Sequence, residues 1–235
     1  MNTAQRQMLL DLKPEQPPTL NNFVIGANSE LVQRLRSLGD PRSFDALYLW
    51  GPPACGKSHL LQATAELARG QRPVALLRAP EVGGDMKLAP GSLLVVDDVQ
   101  ELAAEAQIGL FRAFNTARFL GLALLLAGTE PPLRLALRED LRTRIGQTLI
   151  YEIQPLSDEQ KATALQRHAI ARGMLIESSV LQYLLRHGRR DLSSLLATLD
   201  SLDRASLEQK RPPTVPLLRE LMQTTLDIDK DVGLS

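Results

Sequence analysis

The residues with the clearest chemical use lie in the octapeptide "GPPACGKS" at positions 51–58. It fits the phosphate-loop pattern, in which two spaced glycines precede a lysine and a serine or threonine. Gly51 and Gly56 let the backbone bend until its N–H groups surround phosphate oxygens. Lys57 would then supply positive charge to the β- and γ-phosphates, and the Ser58 hydroxyl would bind Mg²⁺. The pattern predicts a nucleotide site with Mg²⁺, and the alternative is a glycine-rich turn that fits by accident.

We expect the loop and the residue after it to contact the nucleotide, namely Pro53, Ala54, Cys55, Gly56, Lys57, Ser58 and His59. Cys55 is the single cysteine of the chain, so an internal disulfide is excluded and a reducing cytoplasm is favoured. We interpret it as a small loop residue without a redox role.

Two carboxylates follow a second apolar run, "LLVVDD", at positions 93–98. Asp97, at the end of the predicted strand, would hold the Mg²⁺ ion, and Asp98 would orient or deprotonate the attacking water. The alternative is that both acids cap the helix that follows them.

The elements that must position these residues alternate between short apolar runs and longer amphipathic stretches. Continuous apolar character is typical of strands buried on both faces, and strand–helix alternation indicates a parallel sheet. The predicted strands are 46–50, 74–79, 93–98, 123–128 and 149–153, and helix-like segments include 58–69 and 101–119.

The pattern changes after Pro155, where the strands end. Ser157 and Gln160 form a capping-box signal, and Gly173 is a candidate C-cap. Further helices are predicted at 178–187, at 190–206 and from about Pro216. The sequence therefore predicts an α/β core over 19–155, a small all-helical domain over 156–226 and a polar tail over 227–235.

Composition excludes several classes of protein. Lys plus Arg and Asp plus Glu are both 27, so no overall basic field exists to attract nucleic acid. No run approaches the ~18 apolar residues of a membrane span, and the start of the chain lacks the pattern of a secretory signal. These features favour a cytoplasmic protein with no membrane association.

Four ordered motifs together resemble the DnaA family of AAA+ proteins: "NNFVIG", "GKSHLL", "LLVVDDVQ" and "DLRTRIG". The segments "QPLSDEQKATALQRHAIARGMLI" and "LDSLDRASL" are more similar still to the Hda group of DnaA-related regulators. The resemblance covers about residues 19–222. It implies an AAA+ P-loop core with a parallel sheet, a helical lid domain, and ATP or ADP with Mg²⁺ as the ligand.

The resemblance also implies roles for residues outside the phosphate loop. The backbone at Phe23, Val24 and Ile25 would border the adenine, and Thr129 would be a first sensor of the γ-phosphate. An acidic residue is common at the sensor position in this family, so Thr129 departs from the pattern.

Two arginines match catalytic and sensing positions of the family. Arg144 matches the arginine finger that acts across a subunit boundary, with Arg142 as its neighbouring competitor. Arg190 matches a second sensor that couples the lid to the nucleotide. The alternative for each arginine is an ordinary surface charge.

The function implied is regulatory inactivation of DnaA, in which Arg144 promotes hydrolysis of the ATP that DnaA holds. Intrinsic hydrolysis by this chain would be weak, and homo-oligomers are compatible with the family. Two alternatives remain open: an autonomous ATPase of the helicase-loader type, and an adaptor whose nucleotide is only structural.

The hexapeptide "QMLLDL" at 7–12 resembles peptides that dock on the bacterial DNA polymerase sliding clamp. Gln7 would bind a small polar site, while Leu9, Leu10 and Leu12 would enter an apolar cleft. Leu9 and the charge of Asp11 depart from the usual motif. Residues 1–18 are thus predicted to be a flexible clamp-binding peptide and linker; a leader folded back on the core is the alternative.

The segments through which DnaA handles DNA have no counterpart in this sequence. The chain ends after the helical lid, and only "PEVGGDMKLAPGS" (80–92) joins the second and third strands. Its glycines and prolines disfavour a long helix. We therefore expect no direct sequence-specific DNA binding.

Overall fold

The computed structural model of the protein describes residues 17–232. The described residues divide into two compact units, with the division between Leu156 and Ser157. It falls one residue after the boundary that the sequence predicts.

The first unit is an α/β unit with five parallel strands in the order β2-β3-β4-β1-β5. The parallel sheet that the sequence predicts is confirmed. In chain order the elements are α1 (Ser29–Ser37), β1 (Ala46–Trp50), α2 (Lys57–Arg69), β2 (Val74–Arg78), β3 (Leu93–Asp97), α3 (Ala104–Leu120), β4 (Ala123–Gly128), α4 (Glu139–Gly146) and β5 (Leu149–Glu152). Short 3₁₀ turns lie at Ala79–Glu81, Val99–Glu101 and Pro132–Arg134.

The three central strands bury both faces. In β1, Leu47 and Leu49 join an apolar cluster with α1 and α2, whereas Tyr48 joins a second cluster with α3 and α4. The alternation follows from the two-residue period of a strand. The sheet is thus covered by helices on both sides, as its continuous apolar runs predict.

The edge strands differ from the prediction. Strand β2 is half-buried and β5 is largely exposed, although the sequence predicts both as buried. Each has a strand neighbour on one side only, so neither receives the full cover of the helices. Apolar residues in a short run do not by themselves distinguish a central strand from an edge strand.

The second unit is all-helical over its described residues. Its helices are α5 (Asp158–Arg172), α6 (Ser178–His187), α7 (Leu192–Gln209) and α8 (Val215–Val232), so the last helix continues beyond the predicted boundary at 226. Ser157 and Gln160 form the predicted capping box, and Gly173 ends α5 at φ 73°. The unit has its own leucine-rich core.

A charged side chain joins the loops that start the central strands. Arg72, only 5% exposed, lies in the turn between α2 and β2. Its guanidinium donates to six carbonyl oxygens at 2.7–3.3 Å: those of Leu38, Asp40, Ser43, Gly91, Ser92 and Gly121. These carbonyls precede β1, β3 and β4. Burial lowers the pKa of Arg72, but arginine stays charged near neutral pH, so the carbonyl oxygens must solvate it.

We expect Arg72→Leu to lower the free energy of unfolding of the first unit by roughly 3 kcal/mol or more, because buried carbonyls lose their donor. Urea unfolding followed by circular dichroism measures this. Arg69→Ala is the matched control, since Arg69 is exposed and pairs with the exposed Glu66; its change should stay within about 0.5 kcal/mol. An unchanged midpoint for Arg72→Leu would contradict the role.

Candidate functional site

The phosphate loop leaves the carboxyl end of β1 and enters α2. Ala54 and Gly56 have left-handed backbones, with φ of 58° and 101°. Helix α2 begins at Lys57 with neither a side-chain cap nor an acidic residue in its first turn. Its first N–H groups are therefore available to an anion, and the helix dipole favours negative charge there.

Lys57 is held inside the loop. The side chain is 6% exposed, and Nζ donates to the carbonyl oxygens of Gly51 and Pro52, both at 2.9 Å. Ser58, the next residue, is exposed. The loop thus carries a buried positive charge beside an exposed serine, and their binding of phosphate and Mg²⁺ stays a prediction.

Phe23 contacts this loop from the N-terminal segment. A Cβ on Gly56 would lie 2.9 Å from Cε2 of Phe23, so glycine is required by the contact as well as by its φ. His59 lies beside the same ring, with 5.6 Å between ring centroids, and its Nε2 is 3.1 Å from the Thr19 carbonyl oxygen. Of the residues expected to contact nucleotide, Phe23, Gly56 and His59 are therefore brought together.

Asn28 fixes the backbone that carries Val24 and Ile25, and sequence reasoning missed it. This buried side chain donates from Nδ2 to the carbonyl oxygens of Ile25, at 3.1 Å, and Gln154, at 3.0 Å. Its Oδ1 accepts from the Gln154 N–H at 2.8 Å. The segment expected to border the adenine is thereby tied to the chain leaving β5. No local pattern indicates a pair so far apart in sequence.

The two predicted carboxylates lie where β3 ends. Asp97 is the last residue of β3 and 7% exposed, and Oδ1 accepts from the Asp98 N–H at 3.0 Å. Asp98 has φ 55° and makes no side-chain capping bond to the turn that follows. For Asp98, the capping alternative therefore finds no support in the geometry. Arg78 Nη2, from the end of β2, lies 4.0 Å from Asp98 Oδ2.

A glutamine that sequence reasoning missed joins Asp98 to Thr129. Gln100 donates from Nε2 to Asp98 Oδ1 at 3.3 Å, and its Oε1 accepts from the Thr129 N–H at 3.2 Å. The second Asp of "DDVQ", with a polar residue two places later, is the only sequence signal for this contact. The ends of β2, β3 and β4 are thus linked by side chains.

Strand order sets the distance across the site. Strand β4 lies between β3 and β1, so Asp97 and the phosphate loop stand at the same edge of the sheet, two strand spacings apart. At ~4.8 Å per spacing this is about 10 Å. A crevice of that kind outside the carboxyl ends of parallel strands is the usual ligand site of open α/β sheets.

The candidate arginine finger is exposed. Arg144 lies in the last turn of α4 and donates from Nη2 to Asn115 Oδ1 of α3 at 2.9 Å. Arg142, its competitor, is half-buried. Arg190 is exposed in the second unit, between α6 and α7, and its role toward the nucleotide stays a prediction. The peptide with Gln7, Leu9, Leu10 and Leu12 lies outside the described residues.

The donor set fits a nucleotide with Mg²⁺ better than a metal held by protein alone. Within residues 17–232, no group of three or more His, Cys, Asp or Glu could hold a metal ion. Mg²⁺ usually takes one or two protein oxygens and completes its shell with phosphates and water. Ser58 and Asp97 match that requirement. None of the described helices is long and apolar enough to cross a membrane.

Comparisons with known proteins bear on the fold of the chain and on the family of its helical unit. Residues 158–222 match the family described as "Hda, lid domain". Domain III of the Thermotoga maritima replication initiation protein DnaA superposes with a TM-score of 0.77 at 19% identity, covering 90% of this chain and 98% of that one.

Two further solved structures are similar. AMPPCP-bound DnaA from Aquifex aeolicus has a TM-score of 0.69 at 20% identity, covering 80% of this chain and 66% of that one. A Thermotoga maritima RuvB mutant has a TM-score of 0.71 at 18% identity, covering 89% and 73%. The predicted AAA+ fold and the resemblance to Hda and DnaA are confirmed.

Proposed function

We propose that this protein is a regulator of replication initiation that binds adenine nucleotide and promotes hydrolysis of the ATP bound to DnaA. It would act in the cytoplasm, docked on the sliding clamp. The Hda-type lid and the DnaA-like fold support the regulatory role. The proposal has two parts: this chain binds a nucleotide of its own, and its Arg144 acts on the nucleotide bound to DnaA.

The nucleotide half rests on the phosphate loop. Uncapped N–H groups of α2 would bind the phosphates, Lys57 would exchange its two loop carbonyls for phosphate oxygens, and Phe23 would border the base. Mg²⁺ bound by Ser58 and Asp97 would neutralise phosphate charge. The solved AMPPCP complex of a similar fold supports adenine as the base.

We expect Lys57→Ala to abolish binding of a fluorescent ATP analogue while the circular dichroism spectrum and melting temperature stay unchanged. The reason is that the only buried ammonium of the loop disappears. Lys87→Ala is the control, because Lys87 is exposed in the segment before β3. Unchanged affinity in Lys57→Ala would refute the assignment.

The proposed action on DnaA rests on one observation, the exposure and hydrogen bonding of Arg144. This guanidinium is exposed and hydrogen-bonds a neutral amide oxygen, that of Asn115. Arg138 on the preceding turn is also exposed, but it is paired with a carboxylate, since both oxygens of Asp140 accept hydrogen bonds from it. Arg144 thus has a neutral hydrogen-bond partner, and Asn115 orients its guanidinium. Such a group can approach the phosphates of a neighbouring protein, as an arginine finger must.

We expect Arg144→Ala to keep this protein's own nucleotide affinity and to remove its effect on ATP-bound DnaA. Arginine fingers contribute ~10³–10⁵ in rate, so the stimulated hydrolysis should fall to the basal level of DnaA. The assay follows loss of ATP from DnaA in the presence of a DNA-loaded clamp.

Arg138→Ala and Arg142→Ala are the matched controls, as both are arginines at the same helix. If Arg142→Ala no longer stimulates hydrolysis by DnaA while Arg144→Ala stimulates it fully, Arg142 is the arginine finger. Loss of the protein's own nucleotide in Arg144→Ala would contradict action on a partner.

The same preparation separates the two alternative functions. Rapid turnover of ATP by the isolated protein would favour an autonomous ATPase. Tightly retained ADP, with no turnover and no effect on DnaA, would favour an adaptor with structural nucleotide.

The clamp contact depends on "QMLLDL". Deleting residues 1–12, or changing Gln7 and Leu12 to Ala, should abolish clamp binding in a pull-down and leave nucleotide affinity unchanged. The physical reason is loss of one polar and one apolar anchor of an extended peptide. Wild-type clamp binding by the deletion would show that the hexapeptide is not the docking site.

A further inference from the structure

Gln100 connects two groups of the candidate site and has no role in the proposal above. It lies in the turn Val99–Glu101 after β3 and is half-buried. Its amide donates to the Asp98 carboxylate and accepts from the Thr129 N–H. A glutamine is suited to this position because it has a donor and an acceptor on one planar group.

The chain around Thr129 has little freedom to move. A Cβ on Gly128 would lie 2.4 Å from the Tyr48 hydroxyl oxygen and 3.2 Å from Gln100 Oε1. The Tyr48 hydroxyl in turn donates to the Glu130 carbonyl at 2.5 Å. Residues 128–130, at the end of β4 and just after it, are therefore in contact with Tyr48 and with Gln100.

We propose that Gln100 is a positioning residue through which the site distinguishes a nucleoside triphosphate from a diphosphate. The inference rests on the proposed nucleotide site. Thr129 and Asp98 are the groups expected to meet the γ-phosphate and the attacking water. Since Gln100 bonds the backbone of one and the carboxylate of the other, it would set both relative to a γ-phosphate.

A purely structural role would predict a different arrangement. Gln107, also half-buried, bridges backbone groups: Nε2 donates to the Leu102 carbonyl, and Oε1 accepts from the Arg138 N–H, both at 2.9 Å. Those partners hold α3 to α4. Gln100 instead bonds the Asp98 carboxylate and the Thr129 N–H, at 3.3 and 3.2 Å. These bonds are longer than those of Gln107, so we expect the stability of the fold to depend less on Gln100.

The experiment measures dissociation constants for ATP and ADP, with Mg²⁺, on the full chain. Gln100→Met removes both hydrogen bonds at nearly constant length. We expect the preference for ATP over ADP to fall about fivefold, with ADP affinity and melting temperature unchanged. Gln107→Met is the matched control and should lower the melting temperature without altering the preference.

A second variant separates positioning from packing. Gln100→Glu places a carboxylate against Asp98, which lowers ATP preference at neutral pH because like charges repel. Protonation of the glutamic acid restores a hydrogen-bond donor. The ATP-over-ADP preference of this variant, expressed relative to the wild type at the same pH, should therefore recover on acidification toward about pH 5. Gln100→Met should show no such recovery.

Each result decides between the possibilities. An unchanged preference in Gln100→Met, or a parallel loss of ADP affinity, would overturn the positioning role while the nucleotide site stands. If the wild type binds neither nucleotide, the proposed function itself fails. The inference is supported if Gln100→Met loses ATP preference with ADP affinity unchanged and Gln100→Glu regains ATP preference in acid.

Discussion

The arrangement of the sheet depends on how the protein solvates one buried charge, the guanidinium of Arg72. The six carbonyls that surround the Arg72 guanidinium come from the loops entering β1, β3 and β4. A buried charge that loses water must be solvated by protein dipoles, so these loops cannot separate without a large free-energy cost. The amino ends of the central strands are thereby fixed, and in a parallel sheet fixed amino ends determine where the carboxyl ends lie.

The carboxyl ends of the same strands carry the polar chemistry. The phosphate loop follows β1, the Asp97–Asp98 pair lies at the end of β3, and Thr129 follows β4. Side chains link the ends of β2, β3 and β4, from Arg78 through Asp98 and Gln100 to Thr129. The polar groups at these three strand ends are therefore coupled to one another at one edge of the sheet.

Local patterns predict the parts of the molecule that are encoded locally. The phosphate loop, the five strands and the Ser157–Gln160 cap follow from residue spacing and apolar runs. The contacts of Asn28, Arg72 and Gln100 do not, because each of these side chains bonds at least one backbone group distant in the chain, which no periodicity specifies. The exposure of β5 is not evident from the sequence for a related reason: Leu149, Ile150 and Tyr151 are apolar, and only the strand order makes β5 an edge.

Backbone strain supports the location of the site independently of any motif. Among the described residues, the non-glycine residues with positive φ are Ala54, Asp98 and Lys210. Lys210 ends α7, where a left-handed residue closes a helix. Ala54 and Asp98 end no helix, and each costs on the order of 1 kcal/mol. Such strain persists where surrounding contacts maintain it, and for Asp98 those contacts are Arg78 and Gln100. Both strained residues follow strands at the carboxyl edge, so the fold sustains an unfavourable backbone where phosphate and water would be handled.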